Sequence, residues 1–538
     1  MTGADAMVKC LEAQGIGVVF GYPGVAIAPF YNSLYDSKIQ SVLVRQEQNG
    51  GHAASGYARI TRKPAVCIAT SGPGATNLIT GLATAYADSI PMVAITGQVS
   101  TELLGKDVFQ EADITGACEP FVKFSYLVKN VNDIPRIFKE AFYIASTGRQ
   151  GPVLIDVPID IQKQEFDYKE PGEISIRGYK PKVQGHIVQI KKVIEAIKKA
   201  KRPLICAGGG VILGHAEHAI QEFCEKTGIP IVTTMMGVGS IAKRHPLFFG
   251  MLGVNGKPYA NRAVSESDLL IIVGARVNDR AVGAPSKLEQ DRLIVHIDID
   301  TAEIGKNIGP TIPLVGDARL IFERLLEYEI DTSYDEWTDE LREIKRNCVD
   351  RRTFHEGYIN PCLFVEHLTD RMDENAVYVA DVGQNQLWSA DNYVMKKGRF
   401  LTTGGFGTMG YSIPAALGAK MAAPERQVVA VCGDGSFQMS MMELATMCQY
   451  DVKFKIIIMK NRYLGLVREY QYNNYNEHYI AVSLEDIPDL EKLSGAYGMD
   501  YFYLKDMDLM DQTIEEFLAC NNSALMVCDV YKFDKVKE

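Results

Sequence analysis

The chain has 538 residues, of which 47% are hydrophobic and 23% charged, an ordinary globular composition that can bury large cores. Its net charge of −11, without any basic tract in the sequence, argues against nucleic acid as a partner. By the usual size of domains, this length suits about three of them.

The cysteines and the opening residues indicate a protein of the cytoplasm. The eleven cysteines are odd in number and form no CxxC pair, a pattern typical of reduced thiols rather than of a disulfide framework. The nine histidines show no spacing typical of a zinc site. The chain opens with a helical pattern for which Thr2 is a suitable N-cap. We expect neither a signal peptide nor a membrane span, because no apolar run approaches the ~18 residues that a span needs.

Residues 1–165 alternate strand and helix patterns. Apolar runs at 18–20, 41–45, 65–70 and 91–96 each end in a small-residue turn before a helix, and a buried strand follows at 152–160. This alternation predicts a parallel, doubly wound sheet. The next stretch, 166–185, loses the periodicity and gains charge, glycine and proline, so we interpret it as a linker.

Two further α/β patterns follow the linker, at 186–335 and 355–538. Their strand runs also end in glycine-rich or polar turns, as expected of doubly wound domains. The sequence therefore predicts an α/β fold of three doubly wound parallel-sheet domains. The first and third domains share this pattern, but no convincing sequence repeat relates them.

Residues 428–461 form a strand–helix–strand pattern that carries a candidate metal site. An apolar run stops at Gly433-Asp434-Gly435, a helical pattern with apolar Met439, Met442, Leu444, Met447 and Cys448 follows, and the next run ends at Asn461. A right-handed crossover brings Asp434 and Asn461 to the carboxyl edge of a parallel sheet, where ligands bind. Carboxylate and amide oxygens suit Mg2+, which usually keeps sites for phosphate oxygens. A bare GDG favours a plain turn, whereas GDG with the later Asn is the signature of thiamine-diphosphate (ThDP) enzymes.

Glu47 is the candidate for the carboxylate that ThDP chemistry needs beside N1′ of the aminopyrimidine. It ends an apolar strand and precedes a small-residue helix start, where a buried carboxyl would have a raised pKa suited to sharing a proton. On its own, such a residue would be interpreted as a capping or salt-bridged Glu. The GDG…N pattern downstream favours the catalytic role.

Residues 405–410 fit G-x-G-x-x-G, which invites a dinucleotide-binding interpretation. That motif is weak alone, and no clean ribose-binding acid follows at the right distance. A glycine-rich turn that places Met409 beneath the cofactor explains the pattern better.

Over nearly its whole length the chain resembles the acetolactate synthase (acetohydroxyacid synthase) family of ThDP enzymes. The segments that carry the resemblance include FGYPG (20–24), VRQEQNGGHAASGYAR (44–59), ATSGPGATNLITG (69–81), DVFQEADITG (107–116), SDLLIIVGARVNDR (267–280), VGQNQLW (382–388), TTGGFGTMGY (402–411) and NRYLGLVREYQ (461–471).

The resemblance implies roles for individual residues. The implied catalytic residues are Glu47 beside N1′, Phe109 and Gln110 facing the reacting carbon, Arg280 on the acceptor carboxylate, and Met409 enforcing the bent cofactor. The implied Mg2+ ligands are Asp434, Asn461 and the carbonyl of Tyr463. The further implied ThDP contacts are Gly383, Gln384, Gly407, Gly433, Gly435, Ser436 and Leu464.

The resemblance also implies FAD as a structural cofactor of the central domain. A glycine turn after the strand at 202–207 is a sensible pyrophosphate cradle, although a lone GGG is commonly only a tight turn. The implied FAD contacts are Arg149, Gly208, Gly209, Gly210, Thr234, Gly274, Arg276, Arg280, Asp298 and Asp317.

The implied activity is ThDP-dependent decarboxylation of pyruvate and carboligation of the hydroxyethyl unit to a second 2-keto acid. The product is then 2-acetolactate, as in branched-chain amino acid biosynthesis. The implied assembly is a homodimer or homotetramer with its site between the first domain of one subunit and the third of another, with a small regulatory subunit as a further partner.

Departures from the family pattern cluster near the acceptor and leave alternatives open. Tyr470 stands where the family commonly has Trp, and Ile159 where it has Lys. One alternative is acetyl-group transfer from pyruvate to an aldehyde or keto sugar in specialised or polysaccharide metabolism. A redox role for FAD is another. A third is a catalytically silent FAD-binding partner, which the intact Glu47, Asp434 and Asn461 argue against.

Overall fold

Short apolar, β-branched runs alternate with helices and assemble into three six-stranded parallel sheets in a computed structural model. The structure describes residues 1–282, 288, 292–348, 352–485 and 488–536. The three doubly wound α/β domains expected from the sequence are confirmed, while their boundaries at 1–165, 186–335 and 355–538 stay predictions. No helix in the described part of the chain is both long and apolar enough to cross a membrane.

The first sheet is built from residues 18–158. Its strands are β1 (Val18–Gly21), β2 (Gln40–Leu43), β3 (Ala65–Ala69), β4 (Met92–Gln98), β5 (Phe124–Leu127) and β6 (Pro152–Pro158). Its helices are α1 (Gly3–Ala13), α2 (Ala28–Leu34), α3 (Glu47–Thr61), α4 (Pro73–Ala87), α5 (Ile114–Cys118), α6 (Ile134–Ser146) and α7 (Ile159–Lys163). The spatial order is β2-β1-β3-β4-β6-β5, with β2 and β5 at the edges. Thr2 caps α1 as predicted, because its side chain accepts a hydrogen bond from the Asp5 amide.

The second sheet has the strand order of a dinucleotide-binding fold. Its strands are β7 (Pro203–Ala207), β8 (Ile231–Thr233), β9 (Phe248–Met251), β10 (Leu269–Val273), β11 (Leu293–Asp298) and β12 (Ile312–Val315). Its helices are α8 (Ile187–Lys199), α9 (Gly209–Leu213), α10 (Glu217–Thr227), α11 (Pro258–Glu266), α12 (Asp279–Val282), α13 (Ala318–Leu326) and α14 (Asp335–Asn347). The order β9-β8-β7-β10-β11-β12 reverses between β7 and β10, the point at which such sheets bind ligands. Residues 166–185 contain neither helix nor strand, as expected of a linker.

The third sheet repeats the topology of the first. Its strands are β13 (Val377–Ala380), β14 (Arg399–Leu401), β15 (Val428–Gly433), β16 (Lys455–Lys460), β17 (Asp500–Leu504) and β18 (Ala524–Asp529). Its helices are α15 (Pro361–Arg371), α16 (Gln384–Asn392), α17 (Ser412–Ala422), α18 (Asp434–Ser440), α19 (Leu444–Gln449), α20 (Gly465–Asn474), α21 (Leu490–Ala496) and α22 (Met510–Ala519). The order β14-β13-β15-β16-β18-β17 matches the first sheet strand for strand, although the sequences show no clear repeat.

The first and third sheets share one hydrophobic core within the chain, and helices α3 and α17 cross at its centre. Glycine permits this approach. A Cβ at Gly56 would overlap the Ala415 carbonyl, and one at Gly418 would overlap the Ala53 carbonyl. The hydroxyls of Ser55 and Tyr411 are 3.0 Å apart in the same contact. The two sheets are therefore held together by close backbone packing.

The single helix expected after Gly433-Asp434-Gly435 is wrong. The segment forms α18, a 3-10 turn at Met441–Glu443 and then α19, because Ser440 leaves helical geometry at φ −135°. Of the apolar positions assigned to that helix, Leu444 and Met447 are buried. In contrast, Met439, Met442 and Cys448 are exposed, so they do not belong to the core.

Candidate active site

Asp434 and Asn461 lie at the same carboxyl edge of the third sheet. Strands β15 and β16 are neighbours, with Gly433 paired to Met459, and the two polar residues follow directly. The Oδ2 of Asp434 accepts a hydrogen bond from the Arg462 amide at 2.7 Å, which orients the carboxylate. Burial raises the pKa of Asp434 to about 6. A divalent cation would offset that desolvation, and the carboxylate and amide oxygens are suitable ligands for Mg2+.

Gln384 connects this edge to the end of the chain. Its Oε1 accepts a hydrogen bond from Asn461 Nδ2 at 3.1 Å, and its own Nε2 donates to the Asp534 carbonyl at 2.8 Å and to Glu469 at 3.0 Å. Gly383, at φ +141°, precedes helix α16, whose N-terminus lies at this sheet edge. The N-termini of helices α16 and α18 thus frame a place suited to a diphosphate.

The remaining metal-site residues surround the turn at Asp434. Asn461 Oδ1 accepts a hydrogen bond from the Tyr463 amide at 2.9 Å, which fixes the amide plane. The hydroxyl of Ser436 bonds to the Gly433 backbone and closes the turn. A Cβ at Gly435 would lie 2.8 Å from Leu464 and 3.7 Å from the Cε of Met409. Glycine at 435 therefore leaves room for both side chains.

Met409 is held by a residue that the sequence analysis missed. Asp381, fully buried after β13, accepts hydrogen bonds from the amides of Gly410 at 2.9 Å and Ser412 at 2.7 Å. Its burial raises the pKa of the carboxyl, and these amides oppose that shift. The arrangement anchors the turn that contains Gly407 and Met409. An acidic residue directly after a buried strand was the available signal.

Glu47 occupies the corresponding edge of the first sheet. It starts α3, is half-buried, and accepts a hydrogen bond from Asn77 Nδ2 at 3.1 Å. The turn before α4 brings Gln110 close, since a Cβ at Gly72 would lie 2.8 Å from the Gln110 carbonyl. Phe109 is 86% exposed beside it. Asn77, which orients Glu47, was also missed by the sequence analysis.

The two halves of the predicted site lie at the edges of two different sheets of the chain. Among the described residues, the hydrogen bonds of Glu47 do not reach Asp434, Asn461 or Met409. The contacts of α3 with the third sheet run instead through α17 and the segment around Glu443. The hydrogen bond of the Glu47 carboxylate thus stays within the first domain, whereas the metal–diphosphate edge lies on the third sheet.

A cavity of about 700 Å³ lies at the switch point of the second sheet. Every predicted FAD contact except Gly208 lines it, namely Arg149, Gly209, Gly210, Thr234, Gly274, Arg276, Arg280, Asp298 and Asp317. Gly274 has φ +54°, and a Cβ there would lie 2.6 Å from the Gly210 Cα, so both glycines are needed where the two turns touch. Burial raises the pKa of Asp298 to about 6.

This cavity continues toward the third sheet. Its far wall includes Thr402, Gly407 and Leu466, and Arg280 is exposed on the second-sheet side. Tyr470, one turn beyond Leu466 on α20, is 57% exposed. The cavity brings together Arg280, the predicted contact of the acceptor carboxylate, and Leu466 of α20, whereas Ile159 lies at the start of α7 in the first domain.

Comparison with known proteins agrees with this architecture. Three family models match: the N-terminal TPP binding domain of thiamine pyrophosphate enzymes at residues 1–117, the central domain at 190–325 and the C-terminal TPP binding domain at 381–530. The chain is 43% identical, over 98% of its length and 91% of the relative, to the probable acetolactate synthase large subunit of Methanocaldococcus jannaschii. It is 45% identical to the acetolactate synthase large subunit of Corynebacterium glutamicum, over 93% and 82% of the two chains.

A third relative, the acetolactate synthase of Arthrospira platensis, is 42% identical over 98% of this chain and 94% of its own. The similarity thus extends over all three sheets. The chain belongs to the acetolactate synthase large-subunit family of thiamine-diphosphate enzymes.

Proposed function

We propose that the chain condenses two pyruvate molecules to 2-acetolactate and carbon dioxide, with ThDP and Mg2+ as cofactors. The observation that carries this proposal is an Asp434–Asn461 edge together with a Glu47 oriented by Asn77, in a chain that matches a probable acetolactate synthase large subunit over 98% of its length. ThDP, when bound, supplies the electron sink for decarboxylation of a 2-keto acid.

The protein residues have distinct tasks in this proposal. Asp434, Asn461 and the Tyr463 carbonyl hold Mg2+, to which the diphosphate binds beside the N-termini of α16 and α18. Glu47 holds a proton at N1′ of the aminopyrimidine. Met409, fixed by Asp381, supports the bent form of the cofactor.

FAD is proposed as a structural cofactor of the central cavity. The strand order, the touching turns at Gly210 and Gly274, and the arginines at 149 and 276 fit a dinucleotide with a pyrophosphate. Asp298 at the end of β11 is placed to contact it. In this assignment FAD rigidifies the central domain and carries no electrons in the reaction.

A second 2-keto acid is the proposed acceptor. Arg280 offers a forked guanidinium for its carboxylate, and Phe109 and Gln110 would face the carbon that reacts. The alternative of an aldehyde or keto-sugar acceptor is not favoured, since the relatives that match over 93–98% of this chain carry the name acetolactate synthase. In this proposal, Tyr470 and Ile159 change the affinity for the acceptor and leave the type of reaction unchanged.

We propose a homodimer as the minimal active unit. Glu47 starts α3 beside the first sheet and Asp434 follows β15 of the third sheet, and a second copy can supply the missing half of each site. The apolar Phe109 (86% exposed) and Met439 (49% exposed), one in each of these two domains, suit burial by that copy. Association with a small regulatory subunit is proposed from the large-subunit names of the relatives, and a homotetramer is the alternative assembly.

The unpaired state of all eleven cysteines supports a reducing, cytoplasmic location in this proposal.

The test compares acetolactate formation by the wild type and the Glu47→Gln variant at saturating ThDP, Mg2+ and FAD. We expect Glu47→Gln to lose about 100-fold or more of the turnover, in the range that general acid–base groups contribute. The exposed Glu119→Gln serves as the matched control and should retain the wild-type rate. Wild-type turnover that survives Glu47→Gln would remove the catalytic assignment.

A further inference from the structure

Three polar side chains of the segment Met441–Tyr450 form hydrogen bonds with the backbone at the edge of the first sheet. They are Glu443, Thr446 and Tyr450, spaced to lie on one helical face. The Tyr450 hydroxyl donates to the Ser41 carbonyl at 3.1 Å and accepts from the Leu43 amide at 2.8 Å. We call this set the edge clamp, since β2 is an edge strand and these side chains occupy the place of a further strand.

Within the edge clamp, Glu443 is the residue that contacts helix α3, which begins at Glu47. Its Oε1 accepts hydrogen bonds from the Arg45 amide and from Asn49 Nδ2, both at 2.9 Å. Its Oε2 accepts one from the Thr446 hydroxyl at 2.6 Å. Glu443, Asn49 and Thr446 are all fully buried, so any of these groups left without a partner would be costly.

The two residues bound by Glu443 Oε1 flank Glu47 on either side. One is two positions before it and the other two positions after it, at the point where β2 ends and α3 begins. Fixing both neighbours leaves the Glu47 backbone little freedom. The segment that does so begins directly after α18, whose first residue is Asp434, with the three-residue 3-10 turn Met441–Glu443.

We propose that Glu443 is a positioning residue for Glu47. This inference rests on the proposed function, in which Glu47 serves a site shared with a second copy. Glu443 touches neither cofactor nor substrate in this role. It joins the Asp434 helix of a chain to the Glu47 of that same chain, so the two sites of a dimer are mechanically connected through each subunit.

The test measures deuterium exchange at C2 of bound ThDP, by rapid acid quench and proton NMR, at saturating ThDP and Mg2+. Glu443→Ala leaves the Arg45 amide and Asn49 Nδ2 without their acceptor, while the Thr446 hydroxyl keeps only the Leu43 carbonyl at 3.4 Å. We expect exchange to slow on the order of 10- to 100-fold, as small displacements of catalytic groups do. Glu443→Gln keeps an oxygen for the first two donors and an amide N–H for Thr446, so exchange should remain within about threefold of wild type.

Tyr450→Phe is the matched control, because it removes the hydroxyl at the far end of the edge clamp. It should lower the thermal midpoint and leave the exchange rate unchanged. Equal slowing by Tyr450→Phe and Glu443→Ala would overturn the proposal, because general loosening would then explain both. Loss of exchange in Glu443→Gln would also overturn it, since the charge rather than the hydrogen-bonding geometry would matter.

If Glu443→Ala does not fold, Asn49→Ala replaces it, because that change removes one tie and leaves Glu443 paired with the Arg45 amide. Unchanged exchange in whichever of these variants folds contradicts the proposal. The Glu47→Gln variant distinguishes failure of the positioning role from failure of the proposed function. Slow exchange in Glu47→Gln with normal exchange in Glu443→Ala rejects only the positioning role, whereas normal exchange in Glu47→Gln rejects the proposed function itself.

Discussion

Buried carboxyls organise this molecule at the scale of single residues. Asp381 and Glu443 are both fully buried, and each accepts backbone amide hydrogen bonds that hold a turn next to a proposed catalytic group. Asp156, inside β6, plays a similar part for the loop with Gln110. Gln98 Nε2 donates both to Asp156 at 3.0 Å and to the Ala112 carbonyl at 2.7 Å. Because these carboxyls are buried, their hydrogen bonds hold the neighbouring turns and loops in defined positions.

Asp156 gives a prediction about pH. It is 1% exposed, and burial raises its pKa to about 7 despite hydrogen bonds from Thr96 and Gln98. The ordinary value is 3.8, so the folded protein keeps this proton over a range where the unfolded chain has lost it. The contribution of Asp156 to the free energy of unfolding is therefore fully present below about pH 4. This contribution is lost as the pH rises from about 4 to about 7.

We expect the thermal midpoint of Asp156→Asn to fall less than that of the wild type between about pH 5 and about pH 7, because the amide does not titrate. Parallel curves for the two proteins in calorimetry would contradict the assignment of the proton to Asp156.

Local patterns in the sequence were enough to place some candidate site residues at one sheet edge, but not to identify their distant partners. Asp434 and Asn461 follow strand runs directly, so their shared edge was predictable from the crossover rule. Asp381 bonds to Gly410, and Glu443 bonds to Arg45 across 398 positions of sequence. Such partners are known only once the sheets are packed. The break of the helix at Met441–Glu443 was likewise not indicated by its apolar spacing.

At the scale of elements, the crossing of α3 and α17 joins the first and third sheets. We expect Gly56→Ala and Gly418→Ala each to destabilise the protein by about 1–3 kcal/mol, the usual cost of overpacking, because each new methyl would overlap a carbonyl. Gly495→Ala in α21 is the control, since nothing lies within 4 Å of its Cβ position. Denaturant unfolding measures all three. A loss in the control equal to that in the other two would contradict the packing argument.

The switch point of the second sheet gives another prediction at this scale. Gly274→Ala places a methyl against Gly210 at a backbone angle of φ +54°, which disfavours L side chains. We expect it to abolish FAD retention, read from the flavin absorbance of purified protein. FAD should raise the thermal midpoint of the wild type by ligand linkage, and pyruvate turnover should consume no dioxygen. Oxygen uptake coupled to pyruvate would restore the redox alternative.

At the scale of the whole molecule, the first and third sheets have the same strand order and share one hydrophobic core. Both topologies were predictable as doubly wound sheets, but their identical order was not, because the sequences share only an alternation of apolar runs. If each active site combines Glu47 of one subunit with Asp434 of another, single-site variants should complement each other.

Equal mixing of the inactive Glu47→Gln and Asp434→Ala chains, followed by unfolding and joint refolding or by co-expression, tests this arrangement. Random pairing makes half of the dimers mixed, and one site of each mixed dimer is intact, so about a quarter of the wild-type activity should return. Activity that stays at the level of the separate variants would place both residues in a site within one chain.

The central claim is that this chain joins two pyruvates. The most direct measurement is a full product balance with purified protein, ThDP, Mg2+ and FAD, and pyruvate as the only carbon substrate. The account predicts one 2-acetolactate and one carbon dioxide for every two pyruvates consumed. Carbon dioxide release with no acetolactate would contradict it.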